Sequence, residues 1–334
     1  MKPTARATYA QIAEQAGVSE ATVSRVLNGD EKVHPDRAAR VLEVVEKLGY
    51  RKNRAATALA SGRTGLIAIV IDDDLSVFSD PFWATVSSGI SRVLLENELQ
   101  TLLMVAPMSS PDSAVAHYLE GGEVDGVIFF QLHKHALVKR LAKQGLPVVI
   151  AGSPNSNSDL IYADTDNFGG GAQATRHLLQ AGCKNIATIT GDTEASAGRQ
   201  RLEGYLQAHR EVGKVANKAL TAHGDYSFES GKEQMAKLLA AHPEIDGLFA
   251  ANDLMALGAI IAIEEAGRTV PDNVRVVGFD DSVMAQTSRP PLTTIRQDIV
   301  GLGAAVAELM IALLTGKEVE PRILPTELVI RESA

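Results

Sequence analysis

The sequence predicts a small all-α head followed by a larger α/β body, two lobes built on parallel sheets. Three observations predict it. Residues 8–50 place apolar residues at helical spacing in three short pieces. From Leu66 onward, short apolar runs alternate with helical stretches, the pattern of strand–helix–strand crossovers. The charge divides at the same place: residues 1–63 carry 11 Lys and Arg against 7 Asp and Glu, a net of +4, and the remainder nets −13.

The first head helix carries Ile12, Ala13 and Ala16 on one face, with Thr8 placed to cap it and Gly17 to stop it. The second follows a Ser19 cap and buries Val23, Val26 and Leu27; Gly29 ends it. In the third, Pro35 suits a first helical position, and Ala38, Val41, Leu42, Val45 and Leu48 repeat before Gly49. The second helix turns Ala21, Ser24, Arg25 and Asn28 outward, at i, i+3, i+4 and i+7. These are small or hydrogen-bonding residues rather than the Glu/Lys mixture of an idle surface. Two residues, Gly17 and Val18, separate helix one from the Ser19 cap. This is the layout of a helix-turn-helix, whose second helix enters the major groove. Arg25 can reach guanine O6 and N7 there. A small helical cap with a solvated face fits the same pattern.

In the body, "GLIAIVI", "TLLMVAP", "DGVIFF", "LPVVIAG", "NIATIT", "IDGLFAA" and "VRVVGF" read as buried strands. Ligands of open parallel sheets bind beyond the carboxyl ends of strands. At those ends stand Asp72, Asp73, Asp74, Asp80, Phe82, Trp83, Gln131, Asn252, Asp253, Asp280 and Asp281. Polar groups with a few aromatics suit a small polar ligand in a cleft. Asp253 reads as a helix cap before "LMALGAI", Asp281 as a backbone-bonding residue, and Phe82 also fits a core position.

With 45% apolar and 22% charged residues in 334, the composition is that of an ordinary globular protein and excludes a disordered or collagen-like chain. The formal charge of −9 alone argues against a nucleic-acid partner; the basic head reverses that expectation. Cys183 is the only cysteine, which excludes an intramolecular disulfide and a thiolate metal cluster within one chain. The N-terminus lacks the apolar core of a signal peptide, and no apolar run approaches about 18 residues. The expectation is a soluble cytoplasmic protein with no membrane partner, no metal and no cofactor.

"IAEQAGVSEATVSRVLNG", "RAARVLEVVEKLGY" and "NRAATALASGRTGLIAIV" closely resemble the headpiece and hinge of the LacI/GalR family of bacterial transcriptional regulators. "DPFWATVSSGI", "ADTDNFGGGAQATRHLL", "FAANDLMALGAI" and "VVGFDDSVMAQTSRPPLTTIRQD" extend the resemblance to the family's periplasmic-binding-protein-like core. The resemblance implies a headpiece at 1–52, a hinge at 53–64 and a core at 65–334. The core would divide into an N-subdomain (about 65–163 and 295–324) and a C-subdomain (about 164–294 and 325–334). It makes Glu20, Ala21 and Arg25 the base readers; Glu20 equally fits an acid complementing the helix dipole. Thr8, Ser19, Thr22, Ser24, Asn28 and Tyr50 would hold phosphates. His34 stands where the family usually has a serine or similar cap, and would contact a DNA phosphate. Asn53 and Arg54 would contact DNA, and Leu59 would wedge into the minor groove. Lys52 replaces a common proline. Arg201, Asp280, Asn252, Tyr226 and Phe82 would contact effector, with Asp80 and Gln131 (and Trp83 and Phe130) as second choices.

"GGGAQA" at 169–174 satisfies the dinucleotide fingerprint, with Asp192 suitably spaced, but "DTDNF" separates it from the preceding strand; close helix packing explains these glycines better. His133 and His135 read as a loop or helix start rather than a metal site. A free solute-binding protein predicts an export signal and no basic head. A processing enzyme predicts turnover of its ligand. The expected mechanism is a homodimeric repressor on palindromic operator DNA, responsive to a sugar, or else to a purine or nucleoside. The absence of a heptad tail before Ala334 favours a dimer over a tetramer.

Overall fold

The structure is a computed structural model and describes residues 7–27, 29–30, 32–50, 62–71, 80–105, 114–130, 136–154 and 159–334. The chain separates into two compact units, residues 1–64 and 65–334.

The first unit holds α1 (Tyr9–Ala16), α2 (Glu20–Leu27) and α3 (Pro35–Lys47). Ile12, Ala13, Ala16, Val23 and Val41 form its core, with Tyr9, Val26, Leu27 and Leu48 packed around them. Thr8 caps α1 in a reciprocal box: its hydroxyl accepts from the Gln11 amide, and its own amide donates to the Gln11 side chain at 3.0 Å. Gly17 adopts φ +64°, which lets the chain leave α1 and start α2 three residues later.

The second unit contains two six-stranded sheets. β1 (Leu66–Ile71), β2 (Gln100–Val105), β3 (Gly126–Phe130), β4 (Val148–Ala151), β5 (Ile161–Thr165) and β11 (Arg322–Leu324) form the first, in the order β11-β5-β4-β3-β1-β2. β6 (Ile186–Thr190), β7 (Thr221–His223), β8 (Gly247–Ala250), β9 (Arg275–Asp280), β10 (Thr293–Gln297) and β12 (Thr326–Val329) form the second, in the order β12-β10-β9-β8-β6-β7. The β10–β12 pair is antiparallel; the other ladders are parallel. Strands β1, β3 and β4 are almost wholly buried, because helices cover both faces of a parallel sheet.

The helices are α4 (Pro81–Glu96), α5 (Ala114–Glu120), α6 (Ala136–Lys143), α7 (Asn167–Gln180), α8 (Ser196–Glu211), α9 (Phe228–Ala241), α10 (Asp253–Glu265), α11 (Val283–Thr287) and α12 (Ile299–Leu314). Three helix pairs meet backbone to backbone through reciprocal glycines: Gly89 with Gly303, Gly171 with Gly204, and Gly231 with Gly258. A Cβ on Gly204 would lie 2.2 Å from the Phe168 carbonyl oxygen, and one on Gly171 would lie 2.3 Å from that of Arg201. The glycines of "GGGAQA" therefore serve helix packing, and Asp166 caps α7 by accepting from the Gly169 amide at 2.8 Å.

The chain passes between the sheets three times, after β5, after β10 and between β11 and β12. β5 runs on to Thr165 and β10 to Gln297, so the first two passages fall at Asp166 and Asp298. Both aspartates cap the helix that follows and both accept from a glycine amide three residues on.

Candidate functional site

The head presents the face expected of a groove reader. Val23 is buried, and Glu20, Ala21 and Arg25 lie exposed on the other side of α2. Ser19 accepts from the Thr22 amide at 3.3 Å, and the two hydroxyls lie 3.0 Å apart, so both sit at the positive end of α2. Thr8 is exposed, Ser24 partly so, and Tyr50 packs against Tyr9 with ring centroids 5.8 Å apart. His34 caps α3, its Nδ1 accepting from the Asp36 amide at 3.4 Å. Asn28, Lys52, Asn53, Arg54, Leu59, Asp72–Asp74, Gln131, His133 and His135 lie outside the described residues.

In the core, a cleft of about 670 Å³ opens beyond the carboxyl ends of the strands of both sheets. Its volume is within the usual range for small-molecule sites, roughly 300–1,000 Å³. One wall is aromatic: Phe82 meets Trp83, and Trp83 meets Phe130, each edge-on with centroids 5.4 Å apart. Beside them Asp80 caps α4, accepting from the Phe82 amide at 2.9 Å.

Another part of the lining is polar and built around Arg201. This side chain is almost wholly buried. Its Nε donates to Asn167 Oδ1 at 2.8 Å and its Nη1 to the Ala251 carbonyl at 2.5 Å. Its guanidinium carbon lies 3.6 Å over the Phe279 ring, and Nη1 stands 3.9 Å from Asp280 Oδ1. Asp280 in turn accepts from Gln297 Nε2 at 2.5 Å. Burial pushes the Asp280 carboxyl well above the usual range; Arg201 opposes that shift, and Asp253 and Asp80 add to it. Asp80 is raised as well, chiefly by burial. The cleft is thus set to hydrogen-bond a polar ligand with a cation, amides and carboxylates held in fixed places.

Tyr226 adopts φ +71°, and its ring lies over Gly191, where a Cβ would overlap it; its buried hydroxyl lacks a hydrogen-bond partner among the described residues. Asn252 lines the cleft and is also the cap of α10: Oδ1 accepts from the Met255 amide and Nδ2 donates to the Tyr226 carbonyl, each at 2.9 Å. This corrects the reading of Asp253 as the cap. Asp253 lies within the helix and accepts from Ser282 N at 2.7 Å and Thr294 Oγ1 at 2.6 Å. Asp281 is corrected too: its carboxylate takes Arg296 and Arg331, not backbone amides.

The cleft also gathers residues that the strand-end reading missed. Asp164 accepts from the Ser153 amide and hydroxyl (2.8 and 2.6 Å) and from Asn167 Nδ2 (3.1 Å). Asn167 and Gln297, which hold Arg201 and Asp280, stand at two of the three passages between sheets. Their signal was the polar ends of "IYADTDN" and "TTIRQD", strands too short and too polar to stand out as apolar runs.

A DNA-reading helical head joined to a ligand-binding core of this kind defines an effector-responsive transcriptional regulator. Residues 8–53 match the model described as "Bacterial regulatory proteins, lacI family", and residues 175–334 match "Periplasmic binding protein-like domain". The chain is 37% identical over 334 residues to the HTH-type transcriptional regulator CelR of Thermobifida fusca, covering 98% of each chain. Among solved structures it is similar to a transcriptional regulator CelR–cellobiose complex (36% identity, TM-score 0.78, 98% of this chain and 100% of that one). It is also similar to the lac repressor dimer bound to operator and the anti-inducer ONPF (26% identity, TM-score 0.89, 98% and 99%). The chain belongs to the LacI family of bacterial transcriptional regulators and acts as a sequence-specific DNA-binding protein. Among the described residues no helix is long and apolar enough to cross a membrane.

Proposed function

We propose that the chain is a homodimeric repressor of a palindromic operator and that a sugar, bound unchanged between the two sheets of the core, lowers its operator affinity. The carrying observation is the Arg201–Asp280 pair lining the same cleft as Phe82, Trp83 and Phe130. Carboxylates, amides and a guanidinium bond adjacent hydroxyls, and aromatic rings cover the apolar face of a pyranose. Glu20, Ala21 and Arg25 read bases; Thr8, Ser19, Thr22, Ser24 and Tyr50 hold phosphates. Asp80, Phe82, Arg201, Tyr226, Asn252 and Asp280 contact the sugar. The CelR relative with bound cellobiose makes that disaccharide the first candidate.

The sugar acts through unequal affinity for the DNA-bound and released conformations, and operator DNA weakens sugar binding by the same factor. Gel shift on promoter DNA, run with cellobiose, glucose, adenine, guanine and their nucleosides, tests the proposal, with recovery of the added compound intact. Cellobiose or glucose is expected to release DNA. Release by a purine alone would move the effector class, and a preference for no promoter fragment over random duplex would sink the proposal.

A further inference from the structure

We propose that Arg331 is a positioning residue for the effector site: with Arg296 it holds Asp281, and through the turn at Asp280–Asp281 it aims the Asp280 carboxylate into the cleft. The proposal rests on the sugar reading above only for the identity of the ligand.

Asp280, the last residue of β9, and Asp281, which follows it, are successive non-glycine residues of positive φ, at +115° and +58°. Such backbone is costly, and it persists only where the surroundings over-determine it. Here they do. The Asp281 carboxylate is 4% exposed and accepts from Arg331 Nη2 at 2.5 Å and from Arg296 Nε at 2.7 Å. The next amide, Ser282 N, is held by Asp253 at 2.7 Å. Arg331 is itself pinned: its Nη1 donates to the Leu292 carbonyl at 2.8 Å, and its amide donates to Thr293 Oγ1 at 2.9 Å.

The two arginines are unequal. Arg296 is half exposed and shared with Glu327, whereas Arg331 is 17% exposed. A buried, doubly anchored guanidinium fixes its partner more firmly than a solvated one. Arg331 follows β12, which pairs with β10, the neighbour of β9. Asp280 lines the cleft; Asp281, Arg296 and Arg331 stand outside it. A turn made with glycines would relieve the strain without any clamp. Aspartates put a carboxylate in the site, and the clamp keeps it aimed.

The test uses the full chain with Arg331→Met and Arg331→Lys. Without ligand, hydrogen exchange is measured over residues 280–285. Arg331→Met is expected to speed exchange there at least tenfold, with Arg331→Lys near wild type. With cellobiose as probe, calorimetry is expected to show about tenfold weaker binding in Arg331→Met and less than threefold in Arg331→Lys. Unchanged exchange in Arg331→Met overturns the proposal, and so does faster exchange with cellobiose affinity within twofold of wild type. If Arg331→Met fails to fold, Asp281→Asn carries the same two measurements. If wild-type protein binds no cellobiose, that candidate ligand fails, while the exchange result still judges the clamp.

Discussion

Replacing Arg201 by Met separates what the buried pair contributes to stability from what it contributes to binding. The substitution keeps length and apolar bulk but removes a guanidinium whose donors reach Asn167 and Ala251 and whose face covers Phe279. Two charge-assisted hydrogen bonds are lost, and Asp280 is left buried without its cation. Breaking a buried pair from one side costs about 3–5 kcal/mol. At roughly 2–4 °C per kcal/mol for a core of this size, Tm should fall by about 6–20 °C. Asp280→Asn should behave differently. Burial already disfavours the Asp280 carboxylate, and an amide oxygen there can still accept from Gln297, so this variant should stay within about 1 kcal/mol of wild type. The pH dependence has a definite sign. A carboxyl whose folded pKa is raised contributes stability that is complete below its unfolded pKa and lost as pH rises through the folded one. The cost of Arg201→Met should therefore be smaller at pH 5 than at pH 8, and adding Asp280→Asn should recover part of the pH 8 loss. Thermal melts and urea titrations of the three variants at both pH values measure this. A Tm for Arg201→Met within 2 °C of wild type at pH 8, or a loss for Asp280→Asn as large as that for Arg201→Met, would refute the reasoning.

Three further outcomes are expected. Arg25→Ala should weaken operator binding by about 1–3 kcal/mol in fluorescence anisotropy at fixed salt while leaving binding to random duplex nearly unchanged; equal losses on both would assign Arg25 to phosphate. Gly204→Ala forces a Cβ against the Phe168 carbonyl, and equilibrium unfolding should show a loss of about 1–3 kcal/mol, whereas an equal change at Gly213, where nothing lies within 4 Å, should reflect only its φ of +70°. Burial raises the Asp253 carboxyl to about 6, so its contribution to stability declines from about pH 4 to above pH 6. Asp253→Asn keeps an acceptor for Ser282, and its stability should drop less than wild type between pH 5 and pH 7.5, by about 1 kcal/mol.

The head was legible almost residue by residue, because its signals are local. Thr8, Gly17, Ser19, Gly29 and Pro35 each act within one turn of helix, and each sits where cap and turn chemistry puts it. In the body, the strand-end rule found Asp80, Phe82, Asn252 and Asp280, since β9 and β8 are apolar runs that stop abruptly at polar residues. It passed over Asn167, Asp164 and Gln297 because the strands before them are half polar. The choice between Asn252 and Asp253 as cap turned on one residue of helix phase, which tertiary bonds from Asp253 to Ser282 and Thr294 decide. The Arg331–Asp281 pair spans 50 residues and three neighbouring strands, and no local pattern announces it.

The reciprocal glycines of the three helix pairs restrict how this core can move. Helices in backbone contact have no layer of flexible side chains to slide over, so each pair and its sheet should travel as one plate. Reorientation of one plate against the other then falls on the segments that thread between them, at Asp166, Asp298 and Pro325. Asn167 and Gln297 adjoin two of these joints and hold Arg201 and Asp280, so the pivot and the ligand cleft share the same few residues.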